Sequence, residues 1–406
     1  MQYFRSFVLT GALALAMIGW PVSAATLTVL NTNDAGAGSL RDRMATAAVG
    51  DTIVFAPGVT GTISLASTLA VSQDLIVQGP GAANLTISGS SALRVFSVSG
   101  GVFTLSAVTI ANGAAAGGFG GGINITAGTV NLRDSVLQGN SAGNGGGIGV
   151  GAGSTLTATG STFANNTTSS VGGGAIIAIG SATVTGNTFV GNTAPTNGGA
   201  INVQPSGLLT AINNTFRANT SGSLGGALSN LGTTTAINNT FSANVASSGA
   251  ALATGNANAT LHNNVFADNS ASSSPSVLSG GFTTSSNNVF FHNLAAGVAD
   301  DQTGQGTLNF VTTATQPLGP LANNGGLTQT MLPVQGGAAI CAGSTALLPG
   351  GITQDQRGFQ RVSGSCIDAG SVQLLSQGIP TLSTWMLMVL GGLLAMMGMR
   401  NRRAWR

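Results

Sequence analysis

The 406-residue chain contains no lysine and no glutamate, and charged residues make up only 5% of it. Aromatic residues are equally scarce at 5%, with a single tyrosine, and there are two cysteines. Each shortage excludes something. All 12 basic residues are arginine, and five of them (Arg5, Arg400, Arg402, Arg403, Arg406) lie in the terminal segments. Residues 25–378 hold seven Arg against ten Asp, a formal balance of −3, so the sequence pI of 8.9 describes the termini and not the body. A body of that charge offers no basic face, and nucleic acid is not expected as a partner. Two cysteines cannot build a Cys-based metal centre without other ligands nearby, and no metal site is expected. In an exported chain Cys341 and Cys366 are expected to form one disulfide.

What the chain has in quantity is glycine, 63 residues, arranged in a repeat. A large apolar residue followed three positions later by Asn occurs at Leu137/Asn140, Phe163/Asn166, Phe189/Asn192, Phe216/Asn219, Phe241/Asn244, Phe266/Asn269 and Phe290/Asn293, at intervals of 24 to 27. A second series, small residues before an aliphatic, falls at Ile123, Ile148, Ile176, Ile201, Leu228 and Leu252. The segments between glycine clusters, such as LTATGSTF and ATVTGNTF, are short, alternating and rich in Thr, Val, Ile and Phe, which excludes helical repeats. A turn of this length holding two or three strands predicts an all-β parallel solenoid with coils about 4.8 Å apart. Like residues then sit over like residues. Phe forms an interior stack, Asn forms an amide ladder at a turn, and Gly-Gly supplies a corner that needs positive φ or close approach.

Residues 80–295 resemble the right-handed parallel β-helix family, and the GGA(I/L) and FxxN signatures are similar to repeats of the polymorphic outer-membrane proteins. Those proteins continue into a membrane barrel, whereas here the chain ends in one apolar stretch, so self-export is not expected. The opening TLTVLNTNDAGAGSLRDRMATAAVGDTIVF reads as strand, turn and short helix, with Ser39 as N-cap, Asp42 at the third position and Gly50 beyond the end. It resembles the opening segment of secreted bacterial β-helix proteins, with Gly38 where a Cys is common. Residues 317–373, through LGPLANNGGLTQT, DQRGF and CIDAG, resemble the choice-of-anchor type of module that joins such β-helices to a surface anchor. The expected organisation is a signal peptide at 1–24 cleaved between Ala24 and Ala25, an N-terminal cap and first coils at 25–79, β-helix repeats at 80–316, a C-terminal cap module at 317–378, and a sorting signal at 379–406. The two ends cover the solenoid's open edges.

Residues 379–406 read IPTLSTWMLMVLGGLLAMMGMRNRRAWR. An apolar stretch at 385–399, extended by Ile379, is long enough for a transmembrane helix, with the Arg cluster on the cytoplasmic side. The segment resembles the IPTL-type C-terminal sorting signal of Gram-negative bacteria, through Ile379, Pro380, Thr381, Leu382, Ser383 and Trp385; Thr384 and Met386 depart from the pattern. The resemblance implies an exosortase-family membrane peptidase as partner and a destination at the envelope, cell surface or exterior.

Chemistry is thin in between. Many β-helix enzymes cleave acidic polysaccharides with clustered carboxylates and a basic residue. Between residues 111 and 298 the acids are Asp134 and Asp268 and the arginines Arg133 and Arg217. The two acids are five coils apart, on the order of 25 Å. His262 and His292 lie one coil apart and can approach each other, Asp300 and Asp301 can hold a Ca²⁺, and Asp355 with Arg357 reads as a cap ion pair. GNGGGIGVGAG at 143–153 is a coil corner and no phosphate loop. No catalytic residue and no cofactor are expected. The leading expectation is a non-catalytic, adhesin-like surface or matrix protein; the alternative is a β-helix that binds or cleaves a polysaccharide. A glycan or another cell surface is the expected ligand class.

Overall fold

A computed structural model describes residues 24–255, 258–273, 277–295, 298–299 and 310–374. The signal-peptide segment up to Ser23, the pair Asp300 and Asp301, and the sorting signal with its apolar stretch lie outside the described residues. Among the described residues no helix is long and apolar enough to cross a membrane.

The chain winds as an all-β right-handed parallel β-helix. Among the described residues four sheets wrap the axis, two of eleven strands and two of nine, linking parallel strands about one coil apart in sequence, except that one nine-stranded sheet ends in the antiparallel pair Leu294–Ala295 with Val298–Ala299. One coil shows the plan. Ile176–Ala178 follows the Gly-Gly corner, Ser181–Thr185 forms the long sheet, Thr188–Val190 carries Phe189, and Thr193–Ala194 closes the turn. The fourth strand exceeds the two or three expected per turn; at two residues it is too short to show an alternation in sequence. In the long sheet, Ala182 and Val184 point inward while Ser181, Thr183 and Thr185 point out, and register keeps this assignment from coil to coil.

Three interior columns hold the coils together. Phe163, Phe189, Phe216, Phe241, Phe266 and Phe290 are fully buried, with successive ring centroids 4.6 to 5.0 Å apart. Beside them runs the amide column Asn140, Asn166, Asn192, Asn219, Asn244, Asn269 and Asn293. From Asn140 to Asn269 each Nδ2 donates to the Oδ1 of the next coil at 2.8–3.0 Å and to a main-chain carbonyl of the previous coil, as Asn219 does to Phe189. The backbone N–H of each Asn also donates to the next Oδ1, so one side chain satisfies four polar groups. A second column, Asn187, Asn214, Asn239, Asn264 and Asn288, repeats the arrangement two residues before each Phe. Ser161 continues it toward the N-terminus by donating its backbone N–H to Asn187 Oδ1.

At the Gly-Gly corner the two glycines have different tasks. Gly198 has φ +62°, and a Cβ on Gly199 would lie 2.2 Å from the Gly226 carbonyl oxygen of the next coil.

The N-terminal edge is closed as the sequence suggests. Helix Leu40–Thr46 packs on strand Thr26–Val29, Leu40 enters the core, and Ser39 accepts the Asp42 N–H at 3.2 Å. The helix ends at Thr46, short of Gly50. Gly38 has φ +78°, and a Cβ there would meet Leu30 at 3.1 Å, so a cysteine at this position is disfavoured by this backbone.

The module at 317–374 is placed differently from the expected end cap. It lies along the flank of the solenoid, over the Phe-bearing sheet. Its apolar residues Leu318, Met331, Ala339 and Ala369 pack on Val265, Ala267 and Val289. Lateral docking follows from chemistry that has no period: main-chain groups of the module meet single turn asparagines of the coils, and the Gln356 and Ser371 side chains meet strand threonines.

Truncating the amide column should be costly. Asn219→Ala strands the Phe189 carbonyl, the Asn192 N–H and the Asn192 amide; at about 1–3 kcal/mol for each orphaned group, a loss of at least ~3 kcal/mol is expected in urea unfolding. Phe216→Ala should cost about 3–5 kcal/mol in the same measurement.

Candidate functional site

The turn between the long sheet and the Phe sheet uses a left-handed residue in eight successive coils. The column is Ala107, Asp134, Gly160, Gly186, Asn213, Asn238, Asn263 and Asn287, with φ between 50 and 68°. The next corner uses Asn112, Gly139, Asn165, Gly191, Ala218, Ala243, Asp268 and His292, with φ between 46 and 65°. Asp134, Asp268 and His292 are therefore turn residues, chosen among those that tolerate αL. The two acids lie on different corners as well as in different coils.

His292 Nδ1 is 3.1 Å from Asp268 Oδ1, and Gln316 donates to Asp268 Oδ2 at 2.9 Å. His262 stands elsewhere, at the end of strand Asn258–His262 opposite Ser286, so the structure does not bring the two histidines together. Burial holds the His262 pKa below its ordinary value, against hydrogen bonds at Leu261 and Ser286. Burial raises Asp134, and the Arg133 charge opposes that shift.

The module reads the first turn column with its own polar groups. Asn213 Nδ2 donates to the Gln354 carbonyl at 2.8 Å, Asn263 exchanges two bonds with Ser344 at 2.9 and 3.1 Å, and Asn287 Nδ2 donates to the Ala342 carbonyl at 3.1 Å. Asn238, between them and buried, bonds no protein atom through its amide. Gln356 reaches into the solenoid surface: Nε2 donates to the Asn187 carbonyl and to Thr188 Oγ1, and Oε1 accepts from Thr215. Ser371 meets both Thr215 and Thr240.

The charged groups of the module are mostly buried and hydrogen-bonded, with Nε and Nη1 of Arg361 left without a protein partner. Asp355 is buried; its Oδ1 accepts the Arg357 and Phe359 N–H groups, and its Oδ2 accepts Arg357 Nε, Arg357 Nη2 and the Gln373 N–H. Arg361 is fully buried and donates to the carbonyls of Asp368 and Gly370. Desolvation lowers its pKa to about 10, with Asp355 and Asp368 acting in the opposite sense. Burial pushes the Asp368 carboxyl up, against the N–H groups of Cys341 and Leu374 that it accepts.

Two clefts result. One, of about 290 Å³, lies between the turn column and the module, lined by Thr159, Gly160, Thr185, Gly186, Leu327 and Arg357 among others. The other, of about 800 Å³, lies on the outer side of the module around Cys341, Cys366, Ile340 and Leu374. Cys341 and Cys366 form a disulfide. Asp368 is close to both sulfurs, but sulfurs bonded to each other are poor metal donors. Asp355, which lines the first cleft, already accepts five bonds, and Asp134 adjoins the same cleft beside Gly160 and Leu327.

On the opposite side of the turn column, the long sheet presents an uncharged column to solvent: Thr104, Asn131, Thr157, Thr183, Thr210, Thr235, Thr260 and Thr284 in register. The second Asn column and the Gln356 contacts are structural residues that the sequence reading missed. A signal for the former existed, in the Asn that precedes Thr-Phe or Val-Phe in GNTF, NNTF and NNVF.

Residues 147–312 match the family model described as "Right handed beta helix region", and residues 377–404 match the IPTL-CTERM motif. Among solved structures, a mutant of the PL6 family alginate lyase AlyGC aligns at 13% identity with a TM-score of 0.30, over 86% of this chain. This chain spans 59% of the length of that one. No curated protein matches the chain.

Two outcomes are expected. Cys341→Ser with Cys366→Ser should destabilise the module by about 3 kcal/mol, seen as faster proteolysis within 317–374 while the β-sheet circular dichroism of the coils persists. Asn263→Gly should loosen the module by ~1–3 kcal/mol, because it removes two bonds to Ser344, whereas Asn238→Gly should be neutral within ~0.5 kcal/mol or stabilising, since glycine suits αL and no partner is lost.

Proposed function

We propose that this chain is a non-catalytic β-helix of the Gram-negative cell surface or matrix, exported and delivered by its C-terminal signal. The observation that carries the reading is the IPTL-CTERM motif at 377–404, three residues beyond the last described residue of the folded module, Leu374. Such a motif implies processing by an exosortase-type sorting system. In this reading Ala25 begins the mature chain, the stretch at 385–399 crosses the membrane before processing, and cleavage falls near Pro380.

The absence of catalysis is part of the proposal. Asp355 is saturated, Asp134 and Asp268 are turn residues on different corners, and the two histidines are apart. What supports adhesion is the uncharged Thr column on the long sheet, which suits a neutral glycan in preference to an acidic one. The rod would serve as a scaffold first and a ligand surface second.

Residues 25–378 applied to a polysaccharide panel test this reading, with retention and chain cleavage scored separately. Retention of neutral glycans without new reducing or unsaturated ends is expected; new ends would establish an enzyme. The intact mass of the native protein should correspond to a chain from Ala25 to near Pro380, and a mass that includes Trp385 to Arg406 would remove processing from the account.

A further inference from the structure

We infer that the buried carboxylate of Asp51 is the receiving site for the α-ammonium group that removal of the signal peptide creates, so that processing completes the N-terminal cap. The inference rests on the proposed start of the mature chain at Ala25. Asp51 is only 3% exposed. Its Oδ1 accepts the Ala25 N–H at 2.7 Å, and its Oδ2 accepts the Ala48 N–H at 2.8 Å. Two main-chain amides thus hold the carboxylate, and a charge so far from solvent is better offset by a cation. The arginines of the cap are engaged elsewhere, Arg41 with Asp34 and Arg43 with Asp42, and among the described residues none pairs with Asp51. The chain has no lysine to supply the charge.

Hydrolysis of the Ala24–Ala25 bond supplies a cation. Water adds its hydroxyl to the Ala24 carbonyl carbon and the C–N bond breaks. The Ala25 nitrogen takes the other hydrogen of the water and then the proton of the new carboxylic acid, which leaves an Ala24 carboxylate and an Ala25 ammonium. Both residues are exposed, so the bond is open to a peptidase. The nitrogen that becomes the ammonium is the atom already 2.7 Å from Asp51 Oδ1, and a neutral donor there is replaced by a charged one, which roughly doubles the strength of such a bond.

The position is fixed to the residue. Strand Thr26–Val29 starts immediately after Ala25, its register sets Thr26 opposite Thr52, and the Ala25 carbonyl accepts the Thr52 N–H at 2.8 Å. A chain that began one residue earlier would carry its ammonium about 3.8 Å further along, one Cα step away. A chain that began at Thr26 would lack the nitrogen altogether. On the other side of Asp51, Ala48 follows the end of helix Leu40–Thr46. The adjoining Ala47 carbonyl accepts Gln73 Nε2 at 2.8 Å, and the Gly50 N–H donates to the Asp74 carbonyl at 2.8 Å. One carboxylate therefore joins the edge strand, the end of the cap helix and the coil that follows, and the junction reaches full strength only in the processed chain.

The lack of lysine gives a direct test, because the mature polypeptide then has a single primary amine, its N-terminus. Intact mass of the native protein comes first: a start other than Ala25 would overturn both the inference and the reading it rests on. The native protein and the same chain made with Ala24 as its first residue are then treated with an amine-acylating N-hydroxysuccinimide ester. The Ala24 chain keeps the amide contact of Ala25 but carries its ammonium beyond Asp51. When folded, the Ala25 chain is expected to react at least about tenfold more slowly than the Ala24 chain, and in denaturant at the same rate. Asp51→Asn in the Ala25 chain should raise its folded rate to that of the Ala24 chain; since this change also disturbs the Ala48 contact, the Ala24 comparison decides if the variant does not fold. Equal rates for the two folded chains, or slow reaction that survives Asp51→Asn, would overturn the inference and leave the start at Ala25 in place.

Discussion

Parallel stacking sets each interior polar side chain beside its own counterpart one coil away and beside the main chain of the adjoining coils. An amide meets this constraint because it donates and accepts along one line. Each ladder Asn passes a bond to the next coil and also closes backbone groups that the bend after the Phe strand leaves open. The Phe column fills the space beside it. Both columns need register to hold within one residue over every coil, which is why the interval varies between 24 and 27 while the Phe-to-Asn spacing stays at three: insertions are absorbed in the exterior turns.

The outer corners follow from the same geometry. A coil that closes on itself must pass through αL at fixed places, and the residues that tolerate αL are Gly, Asn and Asp, with an occasional Ala or His. Those positions account for Asp134, Asp268 and His292. They also provide the purchase for the module. Asn213, Asn263 and Asn287 turn their amides outward at regular intervals, and Gln354, Ser344 and Ala342 meet them. An element fixed in this way becomes part of the rod.

The repeat, its period, the interior Phe and the Asn three residues on could be read from the sequence because stacking copies each residue type from coil to coil. The N-terminal helix was legible from Ser39 and Asp42 for the same local reason that caps usually are. The second amide column was hidden by adjacency: in NNTF the first Asn turns the corner and the second enters the core, and an undivided pair reads as one polar turn. The module's lateral docking left no pattern at all. Gln356 and Ser371 are single residues matched to Thr188, Thr215 and Thr240 more than 130 positions away, and nothing local announces such a contact. The candidate site was legible chiefly by exclusion, from the wide separation of Asp134 and Asp268.

The account stands on the module and coils behaving as one body. Hydrogen exchange measured by mass spectrometry on the native protein tests this directly, comparing peptides over 353–361 and 368–374 with those over 186–220. Equal, late exchange in all three is the predicted result. Rapid exchange in the two module peptides beside protected coils would contradict lateral docking.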